Sequence, residues 1–150
     1  MSSFLGQQVA IEQPLSAAHD TLTLLLFFQL IGLGFTGRLV ARYLSENYPM
    51  NGGSGLKWAM AGRDANKLQG IKDKFGIDNS VDVLVADSND AASLDAVAGQ
   101  TRVVLTTAGP FARIGTPVVD ACVRQGTNYC DITGEVQWVR EMIDKHHDAA

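Results

Sequence analysis

The stretch LIGLGFTGRLVARYL, Leu30 to Leu44, decides the fold. Gly32, Gly34 and Gly37 crowd into it after an apolar run. They lead straight into TGRLVARYL, where Leu39, Val40, Tyr43 and Leu44 recur at helical spacing, as a helix facing a sheet requires. Strand, glycine turn and amphipathic helix in that order open a dinucleotide-binding unit, although the G-x-G-x-x-G spacing alone also occurs in turns chosen only for flexibility. Missing Cβ atoms let the backbone approach a pyrophosphate, and the unpaired N–H groups of the first helical turn stabilise its charge together with the helix dipole. Gly32, Gly34, Phe35, Thr36 and Gly37 are therefore the expected pyrophosphate turn, with the Thr36 hydroxyl as an additional donor.

Downstream the signals alternate. NGGSG (residues 51–55) is a turn and KWAMAG a strand. A helix follows, with Asp64 as its N-cap, Gly76 as its left-handed terminator, and Leu68, Ile71 and Phe75 on its apolar face. VDVLVAD (Val81 to Asp87) is a third strand, and SNDAASLDAVAG a short capped helix stopping at Gly99. RVVLTTAG is a fourth strand. GTPVVDACVRQG is a helix with Thr116 as cap, Pro117 in its first turn and Gly126 past its end. TNYCDITGE is a fifth strand, and a last helix begins near Val136. Strands alternating with helices need crossovers of one hand, so the expected fold is α/β, a doubly wound parallel sheet of strand order 3-2-1-4-5 in a single domain. Residues 1–20 show no sustained period and read as a loosely ordered lead-in; residues 21–150 form the Rossmann-type domain.

In such a sheet ligands bind beyond the carboxyl ends of the strands, where the strand order reverses. Arg63, in the AGRD that ends strand two, stands beside the expected adenosine ribose and favours NADP, because a guanidinium pairs with a 2′-phosphate. Asp64 follows immediately and leaves NAD open. Asp87, ending strand three, is placed to meet the adenine edge or to cap the next helix. Thr107, Ala108, Gly109 and Pro110, within TTAGPF at the top of strand four, are placed to line the pyrophosphate and the nicotinamide.

Composition bounds the alternatives. A chain of 150 residues that is 46% hydrophobic can bury one core. A formal net charge of -4 argues against a nucleic-acid partner. Cys122 and Cys130 lack zinc-like spacing and read as reduced, buried thiols of a cytoplasmic protein, so no metal is expected. Leu22 to Leu33 is too short for a bilayer span and has no basic flank of the kind a signal peptide carries. Asp131, Thr133 and Glu135 stand at the mouth of strand five, where proton transfer, substrate anchoring or simple capping of the turn (Asp131) and of the next helix (Glu135) all fit; no catalytic residue is assigned. Tyr129 and Trp138 read as packing, and His146 and His147 as solvated surface.

Taken together, GFTGRLVARYL, AGRD, TRVVLTTAGPFARIGTPVVDACV and YCDITGE resemble the saccharopine dehydrogenase-like oxidoreductases, including the trans-acting enoyl reductase group. The likeness runs from about Gly34 to the C-terminus, and AGPFARIGTPVVDAC and NYCDITGE are its most distinctive parts. It implies an NADP-binding Rossmann domain, and reduction in lipid or glycolipid metabolism with lipid-droplet or membrane association in some members. It further implies a C-terminal portion, absent here, that completes the pocket for a small-molecule or lipid-linked substrate. One departure stands in the turn. The family spaces its glycines evenly, whereas Ile31 occupies the first place here and Gly32 comes one residue later, so the turn either re-registers onto Gly32 or binds cofactor less well. The expected function is the cofactor-binding half of an NADP-dependent oxidoreductase, inactive alone, with homo-oligomer formation left open; the alternative is a non-catalytic nucleotide sensor or scaffold.

Overall fold

The computed structural model describes residues 34–50 and 56–149 and the backbone of residues 24–27. The lead-in, Ile31 and Gly32, and the NGGSG turn lie outside the described residues.

β2 (Trp58–Gly62) explains how one sheet supports two cores. Successive side chains of a strand point to opposite faces. Trp58 and Met60 enter one buried cluster with Ala41, Leu44, Leu68 and Ile71, whereas Ala59 and Ala61 enter another with Leu94, Val104, Val119, Cys122 and Trp138. All five residues of the strand are buried, as a parallel strand covered on both faces must be. The first cluster lies under α1 (Phe35–Asn47) and α2 (Ala65–Phe75). The second lies under α3 (Ala91–Ala98), α4 (Phe111–Ile114), α5 (Thr116–Gln125) and α6 (Val136–His146).

The remaining strands are β1 (Leu24–Phe27), β3 (Asp82–Val85), β4 (Val103–Thr106) and β5 (Asn128–Asp131). All pairings are parallel and run β3-β2-β1-β4-β5. Leu25 of β1 faces Ala59 on one side and Val104 on the other, and Leu105 of β4 faces Cys130 of β5. The order reverses between β1 and β4, and parallel pairing brings the carboxyl ends of the strands to one edge.

Several helix ends follow directly from local chemistry. Asp64 accepts from the Lys67 amide at 3.1 Å, and Gly76 closes α2 at φ 61°. Asp90 caps α3 by accepting from Ala92 and Ser93 at 3.1 and 3.3 Å, and Gly126 closes α5 at φ 66°. Two expectations need correction. Thr116 is the first residue of α5 and caps nothing; α4 fills the loop before it, and its Oγ1 accepts from Trp138 Nε1 at 2.9 Å. The buried stripe of α1 is Gly37, Ala41 and Leu44, spaced as one helical face, while Leu39 and Tyr43 are 47% and 55% exposed. A large apolar side chain drew the reading away from the small residues that set the helix against the sheet.

Candidate functional site

The start of α1 is built to leave room. Gly34 occupies its N-cap with φ -55° and ψ 145°, a conformation open to any residue, and a Cβ added there would meet no atom of the described residues within 4 Å. Among the described residues, neither backbone strain nor packing requires glycine at this position. The cap makes no side-chain hydrogen bond, and the first turn holds no acidic residue. Its next residues, Phe35 and Thr36, are exposed, and Gly37 is buried against the body of the domain. α2 and α3 differ, since each has an aspartate over its first amides.

Arg63 follows the last residue of β2, is exposed, and makes no side-chain hydrogen bond or ion pair among the described residues. Asp64, the carboxylate that left NAD open, is already engaged: it caps α2 and lies 3.5 Å from Lys67 Nζ. The Lys67 amide holds its carboxyl below the usual carboxylate range. Of the two neighbours, only the guanidinium is uncommitted. Asp87 lies just beyond β3; its Oδ1 accepts from Asn89 N at 2.9 Å and from Asn89 Nδ2 at 3.0 Å, closing an Asx turn. It does not cap α3, a role that falls to Asp90.

Beyond β4, Thr106 Oγ1 accepts from the Ala108 amide at 3.2 Å. Thr107 is half-buried, Ala108 buried, and Gly109 and Pro110, joined by a cis peptide, are exposed. α4 starts at once, and its first two amides are already taken: Phe111 N donates to Glu135 Oε1 at 2.7 Å and Ala112 N to Oε2 at 3.0 Å. The expectation that Glu135 caps the following helix is thus corrected. It is the N-cap residue of α6 by position, yet its side chain makes no bond there and reaches back across 24 residues of sequence to α4. The loop that carries it is fixed by its own turns. Asp131 accepts from the Tyr129 hydroxyl at 2.7 Å and from the Thr133 amide at 2.9 Å, and Thr133 Oγ1 accepts from the Glu135 amide at 3.0 Å.

Parallel pairing thus brings the start of α1, Arg63, Asp87 and Thr107 to Pro110 to one edge of the sheet; Gly32 lies outside the described residues. α4 and the Glu135 clamp were missed by sequence reasoning, and no local pattern announces a contact between segments so far apart.

The thiols and His146 are engaged within the fold. Burial pushes the Cys122 thiol up to about 12 and raises Cys130, whose Sγ points to the Val104 carbonyl at 3.7 Å. Cys122 is fully buried and Cys130 only partly. His146 is not solvated surface: Nε2 lies 2.8 Å from Asp120 Oδ1, which Lys145 Nζ also meets at 2.7 Å, and its side chain is 12% exposed. Among the described residues no cluster of three metal-ligating side chains occurs, and no helix is long and apolar enough to cross a membrane.

The family model for the saccharopine dehydrogenase NADP binding domain matches residues 28–150. Trans-acting enoyl reductase of Mycobacterium leprae is 41% identical over 119 residues, which are 78% of this chain and 27% of that protein. The Mycobacterium tuberculosis protein of the same name is 40% identical over the same shares. The chain thus spans about a quarter of the length of these relatives. Among solved structures, apo saccharopine dehydrogenase (L-Glu forming) from Saccharomyces cerevisiae superposes with a TM-score of 0.58 at 20% identity, covering 81% of this chain and 24% of that one. An isoflavone reductase gives 0.53 at 16% identity, covering 85% of this chain and 45% of that one. These two establish a shared Rossmann-like fold. NADP is the cofactor the matching family model names, and the chain belongs to the saccharopine dehydrogenase NADP-binding domain family.

Proposed function

We propose that residues 21–150 form the NADP-holding half of an oxidoreductase, with Gly34, Phe35, Thr36 and Gly37 at the pyrophosphate, Gly32 completing the turn, and Arg63 at the 2′-phosphate. The observation that carries this reading is Gly34. Its extended backbone and, among the described residues, its open surroundings leave the first amides of α1 uncovered, as the close approach of a ligand to them would require. Arg63 gives independent support as an exposed guanidinium beside a carboxylate committed elsewhere.

Bound NADPH supplies a hydride. The chain's own part is to hold it: α1 amides donate to the phosphates, and Arg63 pairs with the 2′-phosphate. Asp87 borders the adenine, and Thr107, Ala108, Gly109 and Pro110 border the nicotinamide at the reversal of strand order. Orienting a substrate for hydride transfer falls to a region corresponding to the additional length of the relatives. The relatives are named as enoyl reductases, which points to an enoyl group, here a lipid-linked one, as the substrate; residues 1–150 by themselves are expected to bind cofactor and not turn over.

Calorimetric titration with NADPH and NADH tests the assignment. The wild-type chain is expected to prefer NADPH. Arg63→Ala is expected to lose that preference, worth about 2 kcal/mol for a charge-assisted pair. Unchanged discrimination in the variant refutes the role of Arg63, and absence of NADPH binding to the folded wild type refutes the reading as a whole.

A further inference from the structure

The loop Thr107–Pro110 has no regular structure of its own, yet it must hold its place against a cofactor. What fixes its far end is α4, and what fixes α4 comes from the segment after β5. Glu135 spreads its two carboxylate oxygens over the Phe111 and Ala112 amides, at 2.7 and 3.0 Å. One turn further on, the Trp138 ring packs on Phe111 with centroids 5.7 Å apart, and its indole N–H reaches Thr116. Gly115 permits this contact, since a Cβ there would stand 2.7 Å from Trp138 Cζ2. Glu135 and Trp138, at i and i+3, grip the same short helix from one side. The carboxylate has a further effect. It saturates the amides that open α4 and places negative charge beside them, so this end of the loop repels a phosphate.

We propose that Glu135 is a positioning residue for cofactor binding: by holding the start of α4 it sets the loop Thr107–Pro110 against the nicotinamide half of NADPH, while leaving the phosphates to α1. The inference rests on the reading of the site given above. Glu135 touches neither cofactor nor substrate; it acts through the Phe111 and Ala112 amides.

Two ligands separate its effect from that of general destabilisation. NADPH spans the whole crevice, whereas adenosine 2′,5′-bisphosphate carries the phosphorylated ribose and no nicotinamide. Glu135→Ala is expected to weaken NADPH about tenfold, as the loss of charge-assisted hydrogen bonds from a positioning group implies, and to change the affinity for adenosine 2′,5′-bisphosphate less than about twofold. Glu135→Gln keeps one acceptor and is expected to fall between wild type and the alanine variant; it carries the test where the alanine variant does not fold. Asp90→Ala, which removes a cap remote from α4, is expected to leave both affinities unchanged. Equal NADPH binding in wild type and both Glu135 variants overturns the inference, and so does parallel loss of both ligands, which marks Glu135 as merely structural. A folded wild type that binds neither ligand overturns the underlying reading of the site instead.

Discussion

The first amides of α1 and those of α4 offer the same chemistry in opposite surroundings. Both stand at the carboxyl edge of the sheet, one after β1 and one after β4. At α4 the protein supplies its own anion, Glu135, from a distant loop. At α1 no described side chain does so, and no described atom stands within 4 Å of where a Cβ on the Gly34 cap would lie. On the proposed reading this difference divides one sheet edge: amides already paired with a carboxylate would shape the crevice, and the α1 amides, left without one, would receive the phosphates. The glycines point the same way. Gly115 is required by a neighbour, the Trp138 ring, and Gly34 by none within the described residues.

This contrast can be broken most forcefully by giving α1 the anion it lacks. Gly34→Asp places a carboxylate over the first turn in a backbone conformation that aspartate adopts freely, so the variant is expected to fold with an unchanged or slightly raised Tm. NADPH affinity is expected to drop by about 3 kcal/mol or more, more than a hundredfold, because a fixed negative charge meets the pyrophosphate at close range. Titration with circular dichroism on the same sample checks both halves of this expectation.

The next effect is one of stability. Gly115→Ala forces a Cβ to within 2.7 Å of Trp138 and 2.8 Å of the Phe111 carbonyl oxygen, and is expected to cost about 2 kcal/mol by urea denaturation. Gly34→Ala, by contrast, meets no described atom and is expected to cost no more than about 1 kcal/mol, the difference between glycine and alanine as N-caps. A smaller change is expected for Asp90→Ala, which removes the acceptor for two α3 amides and costs about 1 kcal/mol.

The smallest expected effect is in acid. Hydrogen bonds from Lys67 and from Ser80 hold the Asp64 and Asp78 carboxyls, respectively, below their usual range. Groups depressed in this way stabilise the fold above their unfolded pKa and lose that contribution as pH falls through the folded one. Tm is thus expected to be flat with respect to these groups near neutrality and to decline only below about pH 4. Asp64→Asn, which keeps a capping oxygen but does not titrate, should make that decline slightly shallower.

What could be read from the sequence was what neighbours in the chain decide. Asp64 and Gly76 bracket α2, Gly126 closes α5, and α6 begins at Val136, since each of these ends depends on one residue and the backbone beside it. The glycine turn and Arg63 were legible as candidates for the same reason. Contacts between distant segments were not. Glu135 carries the signature of an ordinary cap, and only the packing of α6 beside α4 turns its carboxylate backward. His146 looked solvated because its partner, Asp120, lies on another helix. Thr116 was misread because the short α4 ahead of it gives no periodic signal. Leu39 and Tyr43 match a helical repeat as well as Gly37 and Ala41 do, and burial alone distinguishes the two faces.

The division of the sheet edge is tested most directly by the amide resonances of the two helix starts during titration with 2′-phospho-ADP-ribose, which has the phosphates of NADP and no nicotinamide. Phosphate capture at α1 predicts saturable shifts of Phe35, Thr36 and Gly37, with Phe111 and Ala112 nearly still because Glu135 occupies them. Shifts confined to Phe111 and Ala112, with the α1 amides unmoved, would contradict it.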